Sequence, residues 1–302
     1  MQQLNWFLKV FAFLILLFSG LLWYFSVHVA PYMILSPQKL NESFTPADFG
    51  LNAQKLEIRS KDSLTLRGYH IESQLPSKGV IILIHGIGGC KEHFLPLAKQ
   101  LAIAGWESVV FDLRAHGESD GQFCTYGYFE KSDVSMIVNY LLDRNPTQKI
   151  GVWGNSLGGA VALQAMAADE RMAFGLIEST FTELDLIVSD YQKRFTGGVG
   201  SKWLTDYVLK NAGEIAGFNP DEVKPIISAA KITRPVLIAH GDSDDNISVA
   251  YGKLLYESLR SDDKELIIVE GGEHFGLFET GGTEYKNQLF DFIKRNEAEC
   301  CN

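Results

Sequence analysis

Cysteine and positive charge are scarce in this sequence, and each scarcity excludes something. Four cysteines, none in a C-x-x-C pair, leave no zinc knuckle. Nine prolines and 28 glycines are ordinary counts for 302 residues, which rules out collagen-like and low-complexity chains. Lys and Arg number 27 against 37 Asp and Glu, a formal charge of −10. That balance argues against a nucleic-acid partner, whose phosphates call for clustered cations. No P-loop and no H-E-x-x-H occurs, so neither a nucleotide nor a catalytic zinc is indicated, and no cofactor is expected.

Charge of either sign is absent altogether between Lys9 and Lys39. The run Val10–Val27 is 18 apolar or uncharged residues, which as a helix reaches roughly 27 Å, near the thickness of bilayer hydrocarbon. Trp6, Phe7, Trp23 and Tyr24 lie towards its two ends, where amphipathic rings favour the membrane interface. Residues 1–30 therefore read as a single-pass membrane anchor. A cleaved signal peptide is the rival, but a cut after Ala30 would put His28 at the −3 position, where small residues are needed. A buried core helix is a poorer fit, since no face of the segment is polar. Lys9 and the terminal amine, set against Lys39, place the N-terminus inside and the body outside the cytoplasm. The mean hydropathy of +0.01 hides this division. The 272 residues after the leader carry a net charge of −11.

Residues 31–54 read as a connecting segment, and from residue 55 strands alternate with helices. Lys55–Arg59 and Leu64–Ile71 form a hairpin pattern. Val80–Ile84, Ser108–Phe111, Ile150–Trp153, Phe174–Ile177, Val236–Ala239 and Leu266–Val269 are apolar runs suited to strands buried on both faces. Glu92–Ala104, Glu130–Leu142, Leu157–Ala168, Val249–Leu259 and Tyr285–Arg295 have helical spacing. The alternation implies a mostly parallel sheet with helices on both faces and chemistry at the carboxyl ends of the strands. Residues 179–228 break the rhythm, far exceeding an ordinary loop, and predict a small helical cap. Its aromatics Phe181, Tyr191, Phe195, Trp203, Tyr207 and Phe218 are expected to pack more than to touch ligand.

Gly154-Asn155-Ser156-Leu157-Gly158 follows one strand and opens a helix, the context that gives a G-x-S-x-G motif its meaning. A sharp turn there exposes the Ser156 hydroxyl at a helix N-terminus, where a developing anion is favoured. A serine needs a base to take its proton. Of seven histidines, His274 lies in the loop after the last predicted strand and has the right chain order. His85 and His116 sit in turns and are better explained by structural hydrogen bonds. The acid comes from Gly241-Asp242-Ser243-Asp244-Asp245; Asp244 is favoured, Asp242 and Asp245 compete, and Glu178 is a weaker substitute. The backbone N–H groups of Leu157 and of Ile87, in His85-Gly86-Ile87-Gly88-Gly89, are the expected oxyanion donors. Those glycines do not make a dinucleotide fingerprint, because Lys91 stands where its third glycine belongs.

Together these residues resemble the α/β-hydrolase superfamily over about residues 55–297, and within it the serine-aminopeptidase or lysophospholipase-like group. Asp112-Leu113-Arg114-Ala115-His116-Gly117-Glu118-Ser119 and Thr125-Tyr126-Gly127-Tyr128-Phe129-Glu130 add to the likeness, with Ala115 where a glycine is usual. The resemblance implies an eight-stranded, mostly parallel sheet, a cap after the sixth strand, and an ester, thioester or amide substrate. A membrane-anchored serine hydrolase acting on a small or lipid-like acyl substrate is the expected function. A peptidase of short peptides is the enzymatic alternative, and a non-catalytic binding protein on the same scaffold is the other. In the resembled fold the loops bearing Cys90 and Cys124 lie at one end of the sheet, which suggests a disulfide if the compartment is oxidising. Cys300 and Cys301, in the tail 298–302, read as a mobile end rather than a lipid anchor.

Overall fold

The computed structural model describes residues 2–297, so Cys300 and Cys301 lie outside the described residues. Eight strands run β1 (Ala53–Arg59), β2 (Thr65–Ile71), β3 (Val80–Ile84), β4 (Glu107–Phe111), β5 (Ile150–Asn155), β6 (Met172–Glu178), β7 (Val236–Gly241) and β8 (Lys264–Val269). They form one sheet in the order β1-β2-β4-β3-β5-β6-β7-β8. Strand β2 pairs antiparallel with β1 and with β4, whereas β4, β3 and β5 to β8 run parallel. The helices are α1 (Gln2–His28), α2 (Ala30–Leu35), α3 (Leu95–Ile103), α4 (Glu130–Arg144), α5 (Leu157–Ala168), α6 (Leu184–Phe195), α7 (Lys202–Ala216), α8 (Pro225–Ala229), α9 (Val249–Ser258), α10 (Leu277–Thr280) and α11 (Gly282–Arg295).

Period-two alternation explains why the central strands are apolar throughout. Val80, Ile82 and Ile84 of β3 pack with Val134 and Ile137 of α4 and Val161 of α5. Ile81 and Leu83 point the other way, against Leu95, Ala98 and Leu101 of α3 and Leu289 and Phe292 of α11. Each such side chain, taken out of water on either face, contributes about 1.5–3 kcal/mol. Strand β8 departs from that expectation. It closes the sheet, and Ile268 remains 37% exposed, because an edge strand lacks a neighbour on one side.

One helix boundary and one expected bond also differ from the sequence pattern. Residues Lys91–Phe94 form a 3-10 turn, and α3 begins only at Leu95, with Pro96 in its first turn. Proline fits there because its missing N–H would have no helical acceptor. The anticipated Cys90–Cys124 disulfide is corrected: both thiols are free and buried. Cys124 packs in the core with Val134 of α4, while the Cys90 thiol is pushed up to about 12 by burial and by its bond to Glu92.

Helix α1 is long and apolar enough to cross a membrane, by length and composition. The residues after it are not a free tether. Leu35 is fully buried in a third cluster with Phe181, Leu184 and Ile187, Leu209 and Ala212 of α7, Phe218 and Ile247. The Leu35 carbonyl accepts from the Cys124 N–H at 2.8 Å, and the Ile34 carbonyl from the Tyr126 hydroxyl at 2.8 Å. Between β6 and β7 the chain passes through α6, α7 and α8, of which α6 and α7 contribute to this cluster. Of the cap aromatics, Phe181 and Phe218 are buried, whereas Phe195 and Trp203 face solvent.

Candidate active site

Strand β5 ends in a turn that holds Ser156 at φ 53° and ψ −121°, a conformation an L-residue keeps only when its surroundings enforce it. Two glycines make room. A Cβ on Gly154 would collide with the Gly158 carbonyl, and one on Gly158 with the Ile84 carbonyl at the end of β3. The end of β6 then clamps the turn: the Ser156 N–H donates to the Glu178 carbonyl at 2.9 Å, and the Thr180 hydroxyl to the Ser156 carbonyl at 2.6 Å. The serine is thereby fixed to two neighbouring strands before its side chain does anything.

His274 reaches Ser156 from the loop after β8. Its Nε2 lies 3.0 Å from the Ser156 Oγ, and its Nδ1 2.8 Å from an Asp244 oxygen. The other Asp244 oxygen accepts from the N–H groups of Asn246 and Ile247, each at 2.8 Å. Burial pushes the Asp244 carboxyl up. Hydrogen bonds from His240, His274 and the Ile247 N–H outweigh that push and hold it well below the usual carboxylate range. It is therefore an anion facing the imidazole.

The competing carboxylates are occupied elsewhere. Asp242 accepts from the Gly271 N–H at 2.7 Å and so joins the two loops; Asp245 is exposed. Glu178 is buried and bonded to the Trp153 indole N–H at 2.6 Å and to the Tyr285 hydroxyl. Sequence reasoning had no means to see this last pair, since Tyr285 lies more than a hundred residues beyond Glu178.

The turn after β3 flanks the serine. A Cβ on Gly86 would lie 3.2 Å from that of Ser156, so the backbone preceding Ile87 passes directly beside the hydroxyl. Among the described residues, neither the Ile87 nor the Leu157 N–H donates to a protein acceptor. His85 braces this turn: it accepts from the Leu113 N–H at 3.0 Å through Nε2 and donates from Nδ1 to the Gly86 carbonyl at 2.8 Å. Burial, helped by His116, lowers its pKa to about 3, which keeps the ring neutral and the tautomer fixed. Of the remaining histidines, His70 pairs with Glu107 and His116 with the Arg114 carbonyl.

The two further motifs are architectural. Asp112 accepts from the Lys91 N–H and ammonium and from the Glu118 N–H, at 2.8–2.9 Å. Arg114 grips Asp133 of α4 with two bonds of 2.8 Å, and Glu130 gathers the N–H groups of Thr125 and Gly127. Buried charges of this kind persist because each is paired. Among the described residues, no group of three or more His, Cys, Asp or Glu side chains is arranged to hold a metal ion.

Known proteins share this arrangement of elements. The family model for the alpha/beta hydrolase fold matches residues 79–195. The chain is 30% identical over 243 residues to the uncharacterised protein YqkD of Bacillus subtilis, covering 78% of this chain and 77% of the relative. It is 26% identical over 268 residues to the alpha/beta hydrolase domain-containing protein WAV2 of Arabidopsis thaliana, covering 84% and 83%. A solved esterase of Pyrococcus furiosus, Pf2001, superposes with a TM-score of 0.73 at 26% identity, over 87% of this chain and 98% of that one. On these matches and this topology, the chain belongs to the α/β-hydrolase superfamily.

Proposed function

We propose that this hydrolase is a membrane-anchored serine enzyme that cleaves carboxylic ester or thioester bonds through an acyl-enzyme. The observation that carries the reading is the chain of contacts from the Ser156 Oγ through His274 to Asp244, at 3.0 and 2.8 Å. His274 takes the hydroxyl proton at Nε2 as the Ser156 oxygen attacks the acyl carbon. Asp244 holds Nδ1–H towards itself and stabilises the imidazolium. The N–H groups of Leu157 and Ile87 receive the oxyanion. As the tetrahedral adduct collapses, His274 gives its proton to the leaving oxygen or sulfur. A water molecule, deprotonated by the same ring, then releases the acid and restores Ser156.

Ester over amide is supported by the likeness to a solved esterase and by apolar surface beside the serine. Ile87 and Phe275, on the loops after β3 and β8, are 44% and 68% exposed and suit an acyl chain. Anchoring is supported by α1, and the charge distribution favours a body outside the cytoplasm. A fluorophosphonate probe should label the wild-type protein and not Ser156→Ala. Well-folded wild type that takes no label would end the serine mechanism. Parallel assays with p-nitrophenyl esters and aminoacyl-nitroanilides decide the bond, and turnover of the anilides alone would reverse the assignment. Resistance to alkaline carbonate extraction tests the anchor.

A further inference from the structure

The apolar helix meets the body with no spacer. The run Val10–Val27 closes one residue after Ser26, which is only 2% exposed. The Ser26 carbonyl faces the Asn211 amide of α7 at 3.5 Å, and only Val29 separates the end of α1 from α2, which carries Leu35 into the cluster beneath the cap. Any bilayer that accepts α1 must therefore have its surface close to α7. Asn211 and Trp203 are eight steps apart on that helix, or about 12 Å.

The near end of α7 and the turn before it carry unpartnered apolar surface. Phe195, Val199 and Trp203 are 77%, 72% and 70% exposed, more than any other large apolar side chain described after residue 36. Gly197 and Gly198, both at positive φ, make the tight turn that presents them. Trp203 stacks on Tyr207 at 5.7 Å, which stiffens the patch without covering it. Charge in this stretch also runs against the rest of the body. Between Asp190 and Asp206 stand Lys193, Arg194 and Lys202 and no carboxylate, in a body whose net charge is −11. Lys193 and Lys202 pair with those flanking aspartates at 3.1 and 2.8 Å, surface pairs that are weak and screened. Aromatic rings over a basic rim are the chemistry of a bilayer interface with anionic headgroups.

We propose that the α6–α7 turn is a second membrane contact, in which Phe195, Val199 and Trp203 enter the interface of an anionic bilayer beside the root of α1. This rests on the anchor reading and extends it, because the contact leads to the active site. Arg194 donates to the Asn246 side chain at 2.8 Å and to its carbonyl at 3.0 Å, two residues beyond Asp244. The acid-bearing loop is thus tied to the membrane-facing turn, and the substrate class becomes an ester-bearing amphiphile drawn from the bilayer.

The test uses the full chain with Cys300→Ser and Cys301→Ser, reconstituted into phosphatidylcholine vesicles with and without phosphatidylglycerol. A polarity-sensitive fluorophore is placed at Val199→Cys or, as a control before β8 at the amino end of the strands, at Asp262→Cys. Nitroxide lipids should quench the label at 199 several-fold more than that at 262, and more strongly with phosphatidylglycerol present. Equal quenching at the two positions overturns the proposal. So does cross-linking between copies at 199 without lipid quenching, which would assign the patch to a second copy of the chain. Carbonate extraction of the same samples judges α1 separately. Release with quenching at 199 retained removes the anchor and leaves the cap contact standing; retention without quenching does the reverse.

Discussion

Asp244 and Glu178 are both buried carboxyl groups where neighbouring strands end, 8% and 7% exposed, yet their protons are held in opposite ways. Burial pushes both upward. Asp244 gathers two backbone N–H groups and a ring nitrogen from His274, with the His240 ring nitrogen at 3.3 Å, and falls below its ordinary value. Glu178 has the Trp153 indole and the Tyr285 hydroxyl, too few donors to offset the loss of water, and rises. The number of donors, rather than the depth of burial, separates a carboxylate poised beside an imidazole from a buried strut between β5 and α11 whose carboxyl is pushed upward.

The contrast can be broken by substitution. Asp244→Asn should lower kcat/KM on an ester by on the order of 10⁴-fold while thermal unfolding stays cooperative. A loss below tenfold would move the orienting role elsewhere. Glu178→Ala should do the opposite: denaturant unfolding records a cost of about 2–4 kcal/mol, from the cavity and two orphaned donors, with turnover per folded molecule near wild type. If it instead abolished turnover at unchanged stability, Glu178 would belong to the chemistry. Tyr285→Phe removes one donor and should cost about 1–2 kcal/mol in the same assay; no change would mean that the hydroxyl bond contributes nothing.

The smallest effect lies in pH dependence, and its sign differs between the two groups. Because Glu178 is raised in the folded state, its contribution is full below the unfolded carboxyl pKa of about 4.3 and is lost as pH climbs through the folded value. For Asp244, lowered on folding, the contribution is full above about 3.9 and disappears as pH falls through the folded value. Urea midpoints for Glu178→Gln should decline less than wild type as pH rises from that region, whereas Asp244→Asn should lose less towards acid. Parallel curves for wild type and both variants would show that neither carboxyl is linked to folding.

Local pattern made much of this legible in advance. Five-residue apolar runs such as Val80–Ile84 mark strands covered on both faces, and Gly154 and Gly158 bracket a serine that needs a strained turn. Loop position selected His274. Spacing alone left Asp242, Asp244 and Asp245 in competition, because three aspartates in four residues differ only in which side chain turns inward. The Glu178 strut was invisible for another reason: its partners lie 25 and 107 positions away. The docked residues 30–36 were hidden by composition, since a continuous apolar leader does not announce where packing against the body begins. The disulfide expectation failed because placing two loops at one end of a sheet does not aim two thiols at each other.

Leu35 also sets an order of events for the nascent chain. The residues that surround it extend to Ile247, more than two hundred positions later. The cap therefore has no complete interior until Ile247 has been made. Its earlier segment must wait until the later one arrives to close over it. Synthesis runs from the leader outward, and this part of the fold is finished by returning to it.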